Sequence, residues 1–273
     1  MNELKKLNIK TYLISGIFRE NQAFFQWYGG FYRNALKAFD YFFVQNESSK
    51  LLLQKLGYKN VKISGDTRFD RVVSILETDN SLDFIKLFKN NTITIVIGSS
   101  WPKDESLLVN YINQTNEKVK FIIAPHNIKV EQIQELKNSI TKKTVLFSEK
   151  ENTDLSNYDV LIVDTIGILT KIYSYAEIAS VGGGFGNPGI HNILEPATFG
   201  IPIIVGPNFT NFAEAVALVH QEGCVCVANQ NELNDAFSNL IQFASFIFIL
   251  SSGTLIFSIL KIGLKGQFLL LLA

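Results

Sequence analysis

Three groups of residues in this chain have the types and spacing for chemistry on a charged ligand. The first is GGGFGNPGIHNILEPATFGIP, Gly182 to Pro202, a glycine run that includes Gly183 and Gly184 and is followed by His191, Asn192 and Glu195. Glycines let backbone approach a ligand without a Cβ collision. The helix expected to start near His191 would present N–H groups to an anion. Glu195, in its first turn, is either a partner of the helix dipole or an acceptor for sugar hydroxyls. His191 is either a ligand contact or a cap of that helix. The second group is SGDTRFD, in which Arg68 suits a bidentate grip on phosphate or an ion pair with Asp66 or Asp70. The third lies at expected strand ends: Ser99 and Ser100 before Trp101-Pro102, then Pro125 and His126. The serines suit either ligand oxygens or a plain turn. His126 suits either a ligand contact or a satisfied loop position.

The elements that must hold these groups follow from hydrophobic periodicity. IKTYLISG, Tyr41 to Val44 and NVKI read as strands, with a helix over ESSKLLLQKLG closed by Gly57. Leu87 to Thr92, LFKNNT, reads as a hinge. Beyond it, the strands TITIVIGSS, VKFIIAPHN, KTVLFS, YDVLIVDT, IASVGGG, IPIIVGP and GCVCVA alternate with helical segments. That alternation predicts a parallel sheet with helices on both faces. Ligands then bind beyond the carboxyl ends of the strands, where the glycine run and the third group sit. The expected fold class is α/β with two Rossmann-like domains. The first is incomplete, because residues 1–88 supply two or three strands against the usual five or six. Residues 89–240 form the second domain, and 241–273 a hydrophobic tail.

Composition narrows the partners. The chain has 273 residues, 47% of them hydrophobic, with 25 basic and 25 acidic side chains. Zero net charge provides no global field for nucleic acid. Cys224 and Cys226 have no nearby Cys or His partner and read as strand, and no disulfide is implied. The amino terminus carries no apolar signal segment. Leu240 to Leu260 contains no charged residue and has the length and hydropathy of a bilayer span; a buried helix or a foreign carboxyl terminus also fits.

GFGNPG, Gly184 to Gly189, spells the dinucleotide fingerprint G-x-G-x-x-G, but its context is wrong. That fingerprint opens the first βα unit and is followed about 20 residues on by an acid. Here it lies several strands into its domain, and after Glu195 the next acid is Glu214, beyond a further strand. NAD is not expected.

Read together and in order, ISGIFREN, SGDTRFDRV, GSSWPKDE, IAPHNI, VDTIGILTKIYSYAEIASVGGGFG and HNILEPATFGIPIIVGPNF resemble the 3-deoxy-D-manno-octulosonic acid (Kdo) transferases, a GT-B glycosyltransferase family. The aromatic-rich segment Phe24 to Asn46 resembles its Bacteroidetes members. The resemblance implies transfer of Kdo from CMP-Kdo to a lipid A precursor in lipopolysaccharide synthesis, at the cytoplasmic face of the inner membrane. The implied partners are CMP-Kdo, the lipid acceptor and the membrane surface, without nucleic acid, metal or other cofactor. It implies CMP contacts at Pro125 and His126, at Ile166, Gly167 and Ile168, and at Asn192, Ile193, Leu194 and Glu195. Ile168 stands where the family usually has Glu, which leaves a backbone contact. The family's stabilising cation falls on Arg68.

Two departures accompany the resemblance. The family's catalytic base, a glutamate, and its E-x-E-x-W-P-N motif precede the segment matching NELKKLNIKTYLISG, so the expectation is a fragment with impaired activity. Loss of a general base typically costs ~10²–10⁴-fold. The tail after Gln242 lacks the polar helices of the family, and a gene-boundary artefact or a membrane anchor is expected there. Two other readings stand beside this one: another GT-B transferase or UDP-sugar epimerase, and a non-catalytic nucleotide-binding module.

Overall fold

The computed structural model describes residues 2–251. The chain forms two compact units, one of residues 1–71 and one beginning at residue 72.

The first unit contains α1 (Asn2–Lys6), β1 (Tyr12–Gly16), α2 (Gly30–Leu36), β2 (Tyr41–Val44), α3 (Glu47–Lys55), β3 (Val61–Ile63) and the start of α4 (Thr67–Glu77). Its three strands form a parallel sheet in the order β1-β2-β3. The central strand is the most apolar, and Phe42 and Val44 are buried against Phe18, Leu36, Leu52, Leu53 and Val61. α3 starts where the Asn46 side chain accepts from the Ser49 N–H, a cap that removes one orphan donor. Past its other end Gly57 takes φ +90°, a left-handed turn that costs a glycine little.

The second unit opens with α5 (Asp83–Lys89), followed by β4 (Ile93–Ser100), α6 (Pro102–Gln114), β5 (Val119–Pro125), α7 (Val130–Ser139), β6 (Thr144–Leu146) and β7 (Val160–Ile162). It continues with α8 (Leu169–Ile172), β8 (Ile178–Val181), α9 (Leu194–Thr198), β9 (Ile203–Val205), α10 (Ala213–His220), β10 (Cys224–Cys226) and α11 (Gln230–Ser251). The seven strands run in the order β10-β9-β8-β4-β5-β7-β6, and every pairing is parallel. Side chains alternate across a strand. In β4 and β5, Ile93, Ile95, Ile97, Phe121 and Ile123 therefore pack on one face, against Leu108, Ile112 and Phe237. Val96, Ile122 and Ala124 pack on the other, against Ile85, Phe88, Ile172 and Ala215. A sheet apolar on both faces needs helices on both.

The hinge expected at Leu87–Thr92 is instead a tight turn inside the second unit. Ile85 and Phe88 of α5 are wholly buried in that unit's core. The Leu82 N–H donates to the Tyr175 hydroxyl at 2.6 Å, and Lys89 donates to the Tyr175 carbonyl at 2.6 Å and to Glu177. The division falls at 71/72, within α4, because α5 is fastened to the large sheet and its helices. The tail expected from 241 does not begin there either. α11 runs through it to Ser251, with Ile241 and Ala244 in the core. Residues 252–273, with the last nine residues of the charge-free segment, lie outside the described residues. Among the described residues no helix is long and apolar enough to cross a membrane.

Candidate functional site

The chain enters the large sheet at β4, builds outward through β5, and returns to the other side of β4 with β8. The strand order reverses between β4 and β8, which opens a crevice at their carboxyl ends. β4 ends irregularly there. Its pairing with β5 skips from Gly98–Ala124 to Ser100–Pro125, and Ser99 between them has φ +53°. A non-glycine residue in that region is uncommon. The two serines separate at this bulge. Ser99 is half-buried. Ser100, 1% exposed, donates its hydroxyl inward to Glu105 at 2.9 Å, so it is not a surface donor for a ligand. Burial raises the Glu105 carboxyl above its ordinary pKa, against the lowering effect of that hydrogen bond.

The glycine run after β8 serves chain-to-chain approach first. A Cβ on Gly182 would lie 2.4 Å from the Ser99 carbonyl oxygen, and one on Gly184 would lie 2.6 Å from the Gly206 nitrogen. The loop is thus wedged between the end of β4 and the chain after β9. Asp104, which no motif singles out, secures it. Its carboxylate is 3% exposed and accepts from the Trp101 N–H at 2.9 Å, the Gly183 N–H at 2.8 Å and the Phe185 N–H at 3.3 Å. A buried charge needs such partners. The only sign of it in the sequence is an acid three residues into a helix that begins with Trp-Pro, a position also favoured by the helix dipole alone.

Three rings meet at the crevice. The Trp101 indole N–H donates to His191 Nε2 at 2.7 Å, and the two rings are coplanar to within 13°. His126 stacks across both, its ring centre 4.5 Å from that of Trp101 and 4.4 Å from that of His191. The backbone fixes the same arrangement, because the His126 N–H donates to the Ser100 carbonyl and the His191 N–H to the Gly182 carbonyl. His191 therefore lies ahead of α9 and caps nothing. That helix starts at Leu194 and is five residues long, so its dipole is small. Burial, with the neighbouring His126 adding to it and Asp104 opposing, holds the His191 imidazole below its ordinary pKa.

Glu195 ties together two of the expected contact segments. Its carboxylate accepts from the Thr170 hydroxyl at 2.8 Å and from the Asn192 side-chain amide at 3.1 Å. Thr170 is in α8, immediately after the turn of Ile166, Gly167 and Ile168. Ile166 is 78% exposed, Gly167 takes φ +91°, and Ile168 packs against the core. Ile193 and Leu194 are buried in the core, so only their backbone is left for a ligand. Pro125 ends β5, half-buried, in register with Ser100.

Arg68 belongs to the first unit. Its guanidinium grips Asp66 through Nε at 2.7 Å and Nη2 at 2.5 Å, the side-on ion pair that the motif allowed as one reading. Burial would raise the Asp66 carboxyl, but the hydrogen bonds from Arg68 outweigh it and hold it below the ordinary value. Ser15 and Gln45, at the carboxyl ends of β1 and β2, complete this polar cluster. Gln45 donates to the Ser15 hydroxyl at 3.1 Å, and Ser15 to Asp66 at 3.4 Å.

Parallel α/β sheets with a crevice at a strand-order reversal define the class, and the chain has the α/β architecture of GT-B glycosyltransferases and UDP-sugar epimerases. A solved UDP-N-acetylglucosamine 2-epimerase shares the fold with a TM-score of 0.54 at 12% identity, over 86% of this chain and 57% of that one. The C-terminal CMP-Kdo binding domain of WaaA from Acinetobacter baumannii shares it with a TM-score of 0.51 at 19% identity, over 66% of this chain and 94% of that one. Within the class, residues 1–71 match the family model described as 3-deoxy-D-manno-octulosonic-acid transferase (kdotransferase). The 3-deoxy-D-manno-octulosonic acid transferase of Chlamydophila psittaci is 28% identical over 254 residues, 90% of this chain and 56% of that protein. The chain is thus a relative of the Kdo transferases, a family of glycosyltransferases, and it spans little more than half the length of the relatives it matches.

Proposed function

We propose that the second unit binds CMP-Kdo at the β4/β8 crevice. In this reading the chain is the donor-binding part of a transferase that moves Kdo to a lipid A precursor at the cytoplasmic face of the inner membrane. The observation that carries this reading is Glu195. Thr170 and Asn192 hold its carboxylate, and it joins the turn after β7 to the segment before α9. These are two of the segments through which the family contacts CMP. A carboxylate fixed by two donors is suited to accept from ribose hydroxyls. The turn at Ile166, Gly167 and Ile168 contributes backbone groups beside it, and His126 and His191 edge the same crevice. Kdo transfer expels the phosphate of CMP, so donors and cations stabilise the leaving group. Arg68 stands in the first unit, where its guanidinium is paired with Asp66.

Calorimetric titration with CMP tests the reading. The expected result is saturable binding of CMP, weakened about tenfold or more by Glu195→Gln, since hydrogen bonds to a charged group contribute about 1.5–3 kcal/mol. Heat with UDP or NAD and none with CMP would overturn it.

A further inference from the structure

The ring cluster carries more than a place for His191. A tryptophan indole nitrogen only donates. His191 Nε2, 2.7 Å from Trp101 Nε1, must therefore be the acceptor, and a ring nitrogen that accepts carries no proton. The imidazole is then neutral with its hydrogen on Nδ1, the opposite of the tautomer usual for an unconstrained imidazole. Among the described residues Nδ1 has no hydrogen-bond acceptor. We propose that Trp101 is a positioning residue: it fixes His191 as a neutral Nδ1–H donor for the phosphate of the bound nucleotide. The ligand half of this assignment rests on the CMP-Kdo reading, and the tautomer half does not.

The surroundings support it from each side. Asp104 holds the Trp101 N–H and the Gly183 N–H with one carboxylate, so the start of α6 and the loop leading to His191 move as one piece. His126 covers the Trp101–His191 pair and blocks rotation of either ring out of their shared plane. The titratable groups facing His191 are His126, from the end of β5, and Asp104, from α6. Burial and His126 lower its basicity, and Asp104 only partly opposes them. His191 accordingly stays neutral at pH values where an ordinary histidine is partly charged. A donor oriented before the phosphate arrives needs no reorganisation to meet it.

Long-range ¹⁵N–¹H NMR on the imidazole groups of the ligand-free protein reads the tautomer directly. The expected result is Nδ1–H at His191 in the native protein and a shift to the usual Nε2–H form in Trp101→Phe, which keeps a flat ring at the site. In the same variant CMP affinity should fall roughly threefold to tenfold, the loss of part of one charge-assisted hydrogen bond. Nε2–H in the native protein would overturn the proposal without reference to any ligand. So would an unchanged Nδ1–H in Trp101→Phe, because the tryptophan would then not be what sets it. The expected tautomers with no CMP binding to the native protein would overturn the phosphate half, and with it the nucleotide reading, and leave the Trp101–His191 pairing standing. The native tautomer requires no substitution, so the test holds even if Trp101→Phe does not fold.

Discussion

Asp104→Ala should destabilise the second unit by about 3 kcal/mol or more in urea denaturation, and should abolish CMP binding before it abolishes folding. The substitution leaves the Trp101, Gly183 and Phe185 N–H groups facing a small apolar pocket. Each buried donor left unsatisfied costs about 1–3 kcal/mol, and relaxation or entering water recovers part of that. The loop carrying Gly183 would lose its tie to α6 while the strands on either side kept theirs. Asp104→Asn should cost less, about 1–2 kcal/mol, because its one carbonyl oxygen still accepts while its amide faces donors. A stability loss under about 0.5 kcal/mol in Asp104→Ala, the range of an ordinary surface change, would show that the carboxylate does not hold the loop.

Gly182→Ala and Gly184→Ala should each cost about 3 kcal/mol, the upper end for forcing an atom into a packed interior. The atoms met are backbone on both sides and cannot swing away. They are the Ser99 carbonyl and Ser100 Cα for Gly182, and the nitrogen and Cα of Gly206 for Gly184. Gly186→Ala is the internal control. Its added Cβ comes no nearer than 3.3 Å to the Pro188 ring, so its effect should stay within about 1 kcal/mol of zero. Thermal denaturation of the three variants side by side measures the difference. Equal, small effects would mean that the glycines answer to a ligand and not to their neighbours in the chain.

The same glycines mark how far the sequence can be read. Their close approach is legible, but not what they approach, because Ser99 lies in β4 and Gly206 just after β9. The parallel sheet itself is legible, since runs such as Ile93 to Ile97 are apolar on both faces and alternate with helical segments. The order of strands is not, and it is the order that places β8 beside β4 and creates the crevice. The Trp101–His191 pair spans 90 positions of sequence, and the link from Thr170 to Glu195 spans 25. No local pattern encodes such pairings. Asp104 is hidden for another reason. An acid in a helix's first turn is ordinary, and only burial distinguishes this one. The hinge expected at Leu87–Thr92 fails because Lys and Asn near a helix end resemble a linker in composition, when here they close α5 through the left-handed Asn90.

The distribution of tryptophan has a practical consequence. The chain has two, and each compact unit holds one of them. Trp27 in the first is 91% exposed, whereas Trp101 in the second is partly buried under an imidazole. Replacing either by phenylalanine leaves a single tryptophan, whose selectively excited emission reports on one half of the molecule. Emission from a Trp27→Phe protein would follow the crevice alone, through ligand addition or melting, with no label attached.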